Sequence, residues 1–598
     1  MAAISGFLKE ARRRRVFRTA AVYIVAAWVA VQVFSEALPA FEVPAYAIRF
    51  VWIAAILGFP LAVTFGWLYD VTPTGVRRTP PADHRDSVDL NLRQADYVIL
   101  AALATVSLAI VIDLTGRVSD VDIEPSQLRH TDENSIAVLP FDNLTGDPAQ
   151  AFFVNGMQAA LINRLSSISG LRITSKTSTV AYSTVPKSAA DIASELSVAW
   201  VVEGGVYRLG DEVRIALSLV DVKSDTSVWS DELDSSIADV LKLQSEAARL
   251  VARQVQVELT NDESARLAAA GTVTPAAYDA YLRGVFHTEL FTPDDMRQAV
   301  GFFQRAVELD PTFVLAYTGL NKLCRFQLQA GLVRPREAAP RCNDLIMKAL
   351  SLDDERAEVH SGLALGYWLY DYDWPAAESA FNRALELNPN FAEAHMFYSH
   401  FLMTLGRCEE SGIEMRIARE LDPLNPFVQA LHGAQLAGCG NPDSGLKLIE
   451  ETIAAFPQLG FGYDVLWWVS HGIGRSEDSL SAALQHFGVT MNQPEVAAAI
   501  HRGKEVGGYE TAMLAAADAL VELWHETYIP AYEIAMAFGY GGDIDKHFEW
   551  MNVAYEEHDP TLPYFGAIGH YAPALDDLRR AAVLERMHLD FWVDLEAK

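Results

Sequence analysis

The chain has 598 residues, of which 51% are hydrophobic and 21% charged, and a formal net charge of −31. That length exceeds what one core serves, so several folded units are expected. The apolar share excludes a disordered polyelectrolyte, and the acidic balance argues against nucleic acid as a partner.

In chain order, apolar runs come first. Residues 19–35 (TAAVYIVAAWVAVQVFS) and 50–69 (FVWIAAILGFPLAVTFGWLY) lack charged side chains and approach the ~20 residues that cross a bilayer. They predict two transmembrane helices, and the run at 97–114 predicts a third, with tilt or local thinning completing the span. Lys9, Arg12, Arg13, Arg14, Arg15 and Arg18 precede the first run, Arg49 alone follows it, and Arg77, Arg78, Arg85 and Arg93 precede the third. Positive flanks stay inside, which puts a basic leader and the 70–96 loop in the cytoplasm and the chain after about residue 115 outside. A cleaved signal peptide is the competing reading, against a long apolar run with no A-x-A site. Through residue 115 eleven Lys and Arg meet nine Asp and Glu, a net of +2, which leaves −33 for the remainder.

Residues 116–134 are polar and aperiodic, and read as a linker. SIAVLPF (135–141) is a buried-strand run, DNLTGDPAQ (142–150) is turn chemistry, and 151–168 has helical spacing. After LRITSKTS, a short helix near 188–197 precedes a strand, a Gly210-Asp211 turn, a second strand and a third around Trp229; a helix from about 237 to 259 closes an α/β sandwich with a mixed sheet. The first strand, the D-N-x-x-G-D turn and the E-G hairpin strand make 135–260 resemble the TolB amino-terminal-like domain of Gram-negative envelope and signalling proteins. That resemblance implies an interaction module without catalysis. Asp142, Asn143 and Gly146 are either a ligand loop or a side-chain-capped turn.

From Tyr278 onward one spacing recurs. Ala377, Phe381, Ala384 and Pro389 match Ala299, Phe303, Ala306 and Pro311, and Ser411, Met415, Ala418 and Pro423; Pro389 and Pro423 are 34 apart, and Gly445, Ile449, Thr452 and Pro457 follow at the next step. Small residues let two helices approach, the large one fills the groove between repeats, and the proline ends the second helix. One repeat is stretched by AGLVRPREAAPR before Cys342, Ile346 and Ala349. The spacing over 275–457 resembles the tetratricopeptide repeat, an all-α solenoid. Beyond Pro457 the phase fades, and 458–598 reads as degenerate repeats with a late helix around Ala554 and closing helices. The whole order is similar to bacterial membrane-anchored proteins that join a TolB-like domain to repeats.

No phosphate loop, nucleophile elbow, zinc-binding H-E-x-x-H or C-x-x-C pair occurs. No enzyme activity, cofactor or metal is implied. His287, His360, His395, His400, His432 and His471 are scattered, as packing or surface residues are. In GYWLYDYDWP four aromatics beside two acids suit stacking on a sugar or gripping a peptide, against Tyr367 as core and Trp374 as turn packing; repeat phase puts Trp368 on the concave surface with Arg325, Met396, His400 and Met403, a candidate partner-binding face. Cys324 and Cys342 lie on the two helices of the stretched repeat at comparable distances from its turn, and Cys408 and Cys439 near turns of successive repeats; disulfides 324–342 and 408–439 are expected, four buried thiols being the alternative. The reading is an inner-membrane-anchored, integral membrane protein acting as a periplasmic adaptor for protein or peptide partners. The alternative is a membrane sensor relaying an envelope signal to a separate cytoplasmic protein.

Overall fold

In the computed structural model the described residues are Tyr23, the backbone of 69–72 and 75–78, and 133–592 without 184–186, 270–272, 291, 568–576 and 590. The chain divides into two compact units, Met1–Leu128 and Arg129–Lys598. In the first, strands β1 (Tyr69–Thr72) and β2 (Gly75–Arg78) pair antiparallel, with Tyr69 opposite Arg78. Tyr69, the last residue of the expected 50–69 span, is therefore extended. The rest of the runs at 19–35, 50–69 and 97–114, and the linker up to residue 132, lie outside the described residues, Tyr23 excepted. Among the described residues no helix is long and apolar enough to cross a membrane. This corrects the fold class with three transmembrane helices, and the inner-membrane and periplasmic location, the membrane-integral partner assignment and both membrane-tied functions fall with it.

The second unit opens with a mixed sheet. Strand β3 (Ser135–Val138) is buried throughout, as a central strand covered on both faces must be. Strand β4 (Asp142–Asn143) follows, then α1 (Ala151–Ser166), β5 (Arg172–Ile173), the short α2 (Lys176–Thr179) and α3 (Ala189–Leu196). Strands β6 (Trp200–Leu209), β7 (Glu212–Asp221) and β8 (Thr226–Ser236) form an antiparallel meander, and α4 (Val240–Gln254) returns across the sheet. The order is β5-β3-β6-β7-β8; β3 runs parallel to both neighbours, and β4 lies beside the later half of β6. Alternation sorts the faces: Ile136, Val138 and Val202 pack under α1 and α4, whereas Ala137, Val201 and Val220 pack under α3. Helix α5 (Asn261–Ala268) carries a capping box from Thr260, and its Glu263 also accepts from Ser169 N.

Helical hairpins occupy the rest. They pair α6 (Pro275–Glu289) with α7 (Pro293–Leu309), α8 (Val314–Gln329) with α9 (Pro335–Leu352), α10 (Ala357–Gly366) with α11 (Trp374–Leu387), α12 (Ala392–Thr404) with α13 (Cys408–Leu421), and α14 (Pro426–Gly438) with α15 (Pro442–Ala455). Then come α16 (Gly460–Gly472) with α17 (Ser476–Gln485), the long α18 (Pro494–Trp524), α19 (Ala531–Tyr540) with α20 (Ile544–Glu557), and α21 (Leu578–Arg586). Helix α18 is itself a hairpin, broken where Gly507 and Gly508 leave helical geometry.

The small-large-small positions of the second helices are buried, from Ala299, Phe303 and Ala306 through Ser411, Met415 and Ala418. The same step continues past Pro457 through Ser479, Ala483 and His486, then Met513, Ala517 and Leu520, then His547, Met551 and Ala554, all buried. The turns keep the period more strictly. Gly406, Gly440, Gly474, Gly508 and Gly542 have φ between +70° and +85° and lie 34 residues apart. At Gly440 the turn is a Schellman cap: Gly440 N donates to Ala437 O and Asn441 N to Leu436 O, satisfying carbonyls the helix end leaves open. The same pair of bonds recurs at Gly331, Gly406, Gly474 and Gly542.

The sheet unit and the repeats share one core, since Tyr278, Leu282 and Ala306 of the first hairpin and Phe313 just before α8 join the cluster under the sheet. A second contact covers the β5 edge. Asn390, in the turn after α11, accepts from Ile173 N at 3.0 Å and donates to Ser166 O and Leu171 O at 3.0 and 2.9 Å. One turn later Asp422 accepts from Ser178 Oγ, which accepts from Leu424 N, and Ser175 N donates to Leu421 O. Repeat turns thus supply the hydrogen bonds an open strand edge would offer to another chain. Disulfides join Cys324 to Cys342, on α8 and α9, and Cys408 to Cys439, at the start of α13 and the end of α14.

Candidate functional site

The first helix of each hairpin lines the inner surface; Arg325, Met396, His400 and Met403 lie on such helices and Trp368 in the turn that continues α10, all buried. The C-terminal segment covers them. Leu562–Phe565 forms a short 3-10 turn whose Tyr564 ring sits 5.6 Å from Trp368 and 5.8 Å from His400. Trp592 Nε1 donates to Thr404 O at 2.9 Å, and Trp374 Nε1 to Met587 O at 2.8 Å. His400 Nε2 donates to Leu431 O, and burial lowers its pKa to about 4, so the ring is neutral. This corrects the open concave face: the residues face inward, but the chain's own end occupies the space before them. The apolar character that made the face attractive is what draws that end in.

The turn after β3 is closed on itself. Asn143 Oδ1 accepts from Thr145 N and Thr145 Oγ1, Asn143 Nδ2 donates to Asp147 O, and Gly146 takes φ +70°. Asp142 is exposed. The polar atoms of Asn143 serve the turn. His287 and His395 pair with Asp295 and Glu414, and His471 bonds Tyr509 OH. Among the described residues no group of three or more His, Cys, Asp or Glu is placed to hold a metal ion.

An open cleft lies where the early and late repeats meet, with a volume of about 590 Å³. Its two sides are the α8–α9 turn, with Leu332, Arg334, Glu337 and Arg341, and the end of α18, with Trp524, Glu526 and Tyr528. The Arg334 guanidinium lies 5.0 Å over Trp524 and 5.5 Å over Tyr528, and pairs with Glu557 at 3.2 Å. Leu332 is 62% exposed at the mouth. Sequence reading passes over these residues, although one side sits at the stretched repeat. The stretched turn delays the next left-handed residue from Gly331 to Tyr372, whereas the other side, after α18, keeps the 34-residue step from Gly508 to Gly542. Insertions into a repeat collect on one surface, often the binding one.

Comparison with known proteins places similarity in parts of the chain. Residues 132–250 match the family described as HilA/YgeH-like transcriptional regulator, second domain. A protein of Rhizobium meliloti named putative adenylate cyclase 3 is 31% identical over 242 residues, 40% of this chain and 41% of that protein. Transcriptional regulator HilA of Salmonella typhimurium is 24% identical over 143 residues, 24% of this chain and 26% of that protein. The chain thus spans less than half the length of these curated relatives. Among solved structures, a thermophilic TPR protein of Thermus thermophilus is 18% identical with a TM-score of 0.26, covering 30% of this chain and 92% of its own. The Cut9-Hcn1 structure is 14% identical with a TM-score of 0.33, covering 58% and 63%. The regulator match corrects the TolB-like resemblance of the sheet domain, and with it the membrane-anchored TolB-like repeat family as the parent of the chain.

Proposed function

We propose that this chain is a non-catalytic protein-interaction module of a regulatory protein, its helical repeats receiving an extended segment of a partner protein in the cleft between the α8–α9 turn and the end of α18. The observation that carries this is the cleft itself, a preformed, mainly polar space on a repeat scaffold with charged side chains on both sides and Trp524 and Tyr528 on one. Trp524 and Tyr528, with Arg334 stacked over their rings, offer a rigid surface against which one anchor side chain packs. Arg341 and Glu337 on one side and Glu526 on the other suit the alternating polarity of an extended backbone. The comparisons support a module over an output domain, because the partial matches fall in proteins named for different outputs, a cyclase and a transcriptional regulator. Those activities belong to the relatives.

The test is selection of peptides from a random display library on the full chain, followed by titration of the chain into one selected, fluorescently labelled peptide while its anisotropy is monitored. Trp524→Ala and Arg341→Ala are expected to weaken binding by at least about tenfold together, as loss of anchor residues does, with an unchanged unfolding midpoint for Arg341→Ala. Selected peptides that bind both variants as tightly as the parent overturn the assignment of the cleft.

A further inference from the structure

The two edges of the sheet differ. At the β5 edge Ile173 N donates to Asn390, whereas β8, an 11-residue strand, ends the order with no strand beyond it among the described residues. Its free groups follow from the register. Leu209 and Glu212 flank a two-residue turn and bond each other, so even-numbered residues of β7 bond to β6 and odd-numbered ones to β8. Val213, Ile215 and Leu217 accordingly stand opposite Ser235, Leu233 and Asp231, and Ile237 N donates to Asp211 O in the same phase. The N–H and C=O groups of Ser230, Glu232 and Asp234 therefore point away from the sheet. Among the described residues no backbone group meets them, and Glu232 N–H is held by its neighbour's carboxylate, Asp231 Oδ1, at 2.9 Å.

Alternation along β8 sets what a strand added there would meet. Trp229 and Leu233 are partly buried against the cluster under α1 and α4, which places Ser230, Glu232 and Asp234 on the opposite face, exposed. Arg214 of β7 pairs with Asp234 at 2.6 Å and with Glu232 at 3.6 Å. With Asp231 the strand carries three exposed carboxylates and no Lys or Arg, so this one arginine leaves the edge acidic. A bulge at Val228, which has no partner across the ladder, confines the regular edge to 229–236.

We propose that the β8 edge receives an extended segment of a partner protein that alternates Lys or Arg with apolar residues and adds to the sheet as its next strand. Backbone bonds to Ser230, Glu232 and Asp234 supply the affinity, basic side chains lie beside Glu232 and Asp234 on the open face, and apolar ones lie beside Trp229 and Leu233 on the other. Charge decides the occupant. A second copy of this chain paired edge to edge would set Asp231, Glu232 and Asp234 beside the same residues of its mate, which like-charge repulsion disfavours, whereas a basic strand relieves the repulsion already there. This edge belongs to the sheet and does not depend on the cleft between the repeats.

The test titrates the full chain into a fluorescein-labelled peptide of about ten residues that alternates lysine and valine, read by anisotropy. The same peptide N-methylated at every residue keeps its charge but cannot donate from its backbone, and is expected to bind at least about tenfold more weakly, as is a peptide with glutamate for lysine. Ser230→Pro removes one outward N–H and none of the bonds to β7, so it is expected to weaken binding about tenfold with an unchanged unfolding midpoint. Glu232→Gln with Asp234→Asn keeps the backbone and is expected to weaken binding about threefold and flatten its salt dependence, which serves if the proline variant does not fold. Bound peptide is expected to slow hydrogen exchange at Ser230 and Asp234. No binding of the lysine-valine peptide, equally tight binding of its N-methylated form, unchanged exchange in β8, or full affinity in both variants each overturn the proposal. Self-association of the chain that Ser230→Pro abolishes makes the occupant a second copy and overturns the assignment to a basic partner.

Discussion

Adding one methyl group to Gly440 and adding one to Gly301 are expected to move stability in opposite directions. Both glycines are exposed, and a Cβ built on either meets nothing within 4 Å, so packing contributes little in either case. They differ in backbone. Gly440 holds φ +85° in a Schellman cap, a left-handed conformation that costs an alanine ~1–2 kcal/mol. Gly301 lies inside α7, where replacing glycine by alanine removes unfolded-state freedom and stabilises by ~0.5–1 kcal/mol. The expected separation between Gly440→Ala and Gly301→Ala is therefore ~2 kcal/mol. Gly474→Ala and Gly542→Ala repeat the experiment, since both sites also have positive φ and open surroundings, and the three losses are expected to add because none of the added methyl groups meets a neighbour within 4 Å. Gly331→Ala is expected to cost more, because its Cβ would also lie 2.7 Å from Pro530 Cγ. Urea unfolding of the full chain followed by circular dichroism measures the series. A neutral or stabilising Gly440→Ala beside a destabilising Gly301→Ala would refute the reading of these turns.

Asn390→Ala removes three buried hydrogen bonds and leaves Ile173 N unpaired, an expected loss of ~2–4 kcal/mol, with faster amide exchange along β5 as the specific readout. Reduction is expected to lower stability by ~3 kcal/mol for Cys324–Cys342, which closes 18 residues, and slightly more for Cys408–Cys439, which closes 31; non-reducing peptide mapping should recover both linked pairs. Acidification should destabilise the fold. Burial holds His400, His471 and His547 at about 4 and His432 at about 3, below their unfolded value. The unfolded chain therefore takes up these protons first, and the stability present above pH 6.5 is lost as pH falls toward 4. Asp464 and Asp559, raised by burial to about 6, work the other way but are fewer, leaving a net fall of ~1–3 kcal/mol per pH unit near pH 5. A urea midpoint that rises between pH 7 and pH 4.5 contradicts this balance.

Much of the helical repeat was legible because its second helices must approach closely, and Ala377, Phe381 and Ala384 write that demand in residue size. Past Pro457 the same positions carry Ser479, Met513 and His547, which satisfy burial by size and hydrogen bonding, so a search for small residues loses the phase. The turn glycines keep it, since positive φ admits few substitutes, and they were the better signal. Strands β3 and β6 to β8 were legible from apolar runs and the Gly210 turn. The candidate site was not. Repeat phase assigns Trp368 and His400 to an inner face, but which surface fills that face is decided by contacts such as Tyr564 on Trp368, almost 200 residues away in sequence. The cleft around Trp524 and Arg334 is equally non-local, and no short motif announces it.

The return of the chain end onto the middle hairpins has a consequence for how the molecule comes apart. An open array of hairpins can fray from either end, each unit leaning only on its neighbours. Here Trp374 is tied to Met587, Thr404 to Trp592, Tyr370 to His558 and Arg334 to Glu557, across separations of 188 to 223 residues. Closing such long loops early is entropically unfavourable, so the last stretch of chain locks in place after the hairpins have stacked, and folding is slower than local helix pairing alone would make it. Under tension between its termini the array resists until that clasp opens. After that the hairpins yield one after another, so a force trace begins with a single high peak and continues as a low sawtooth.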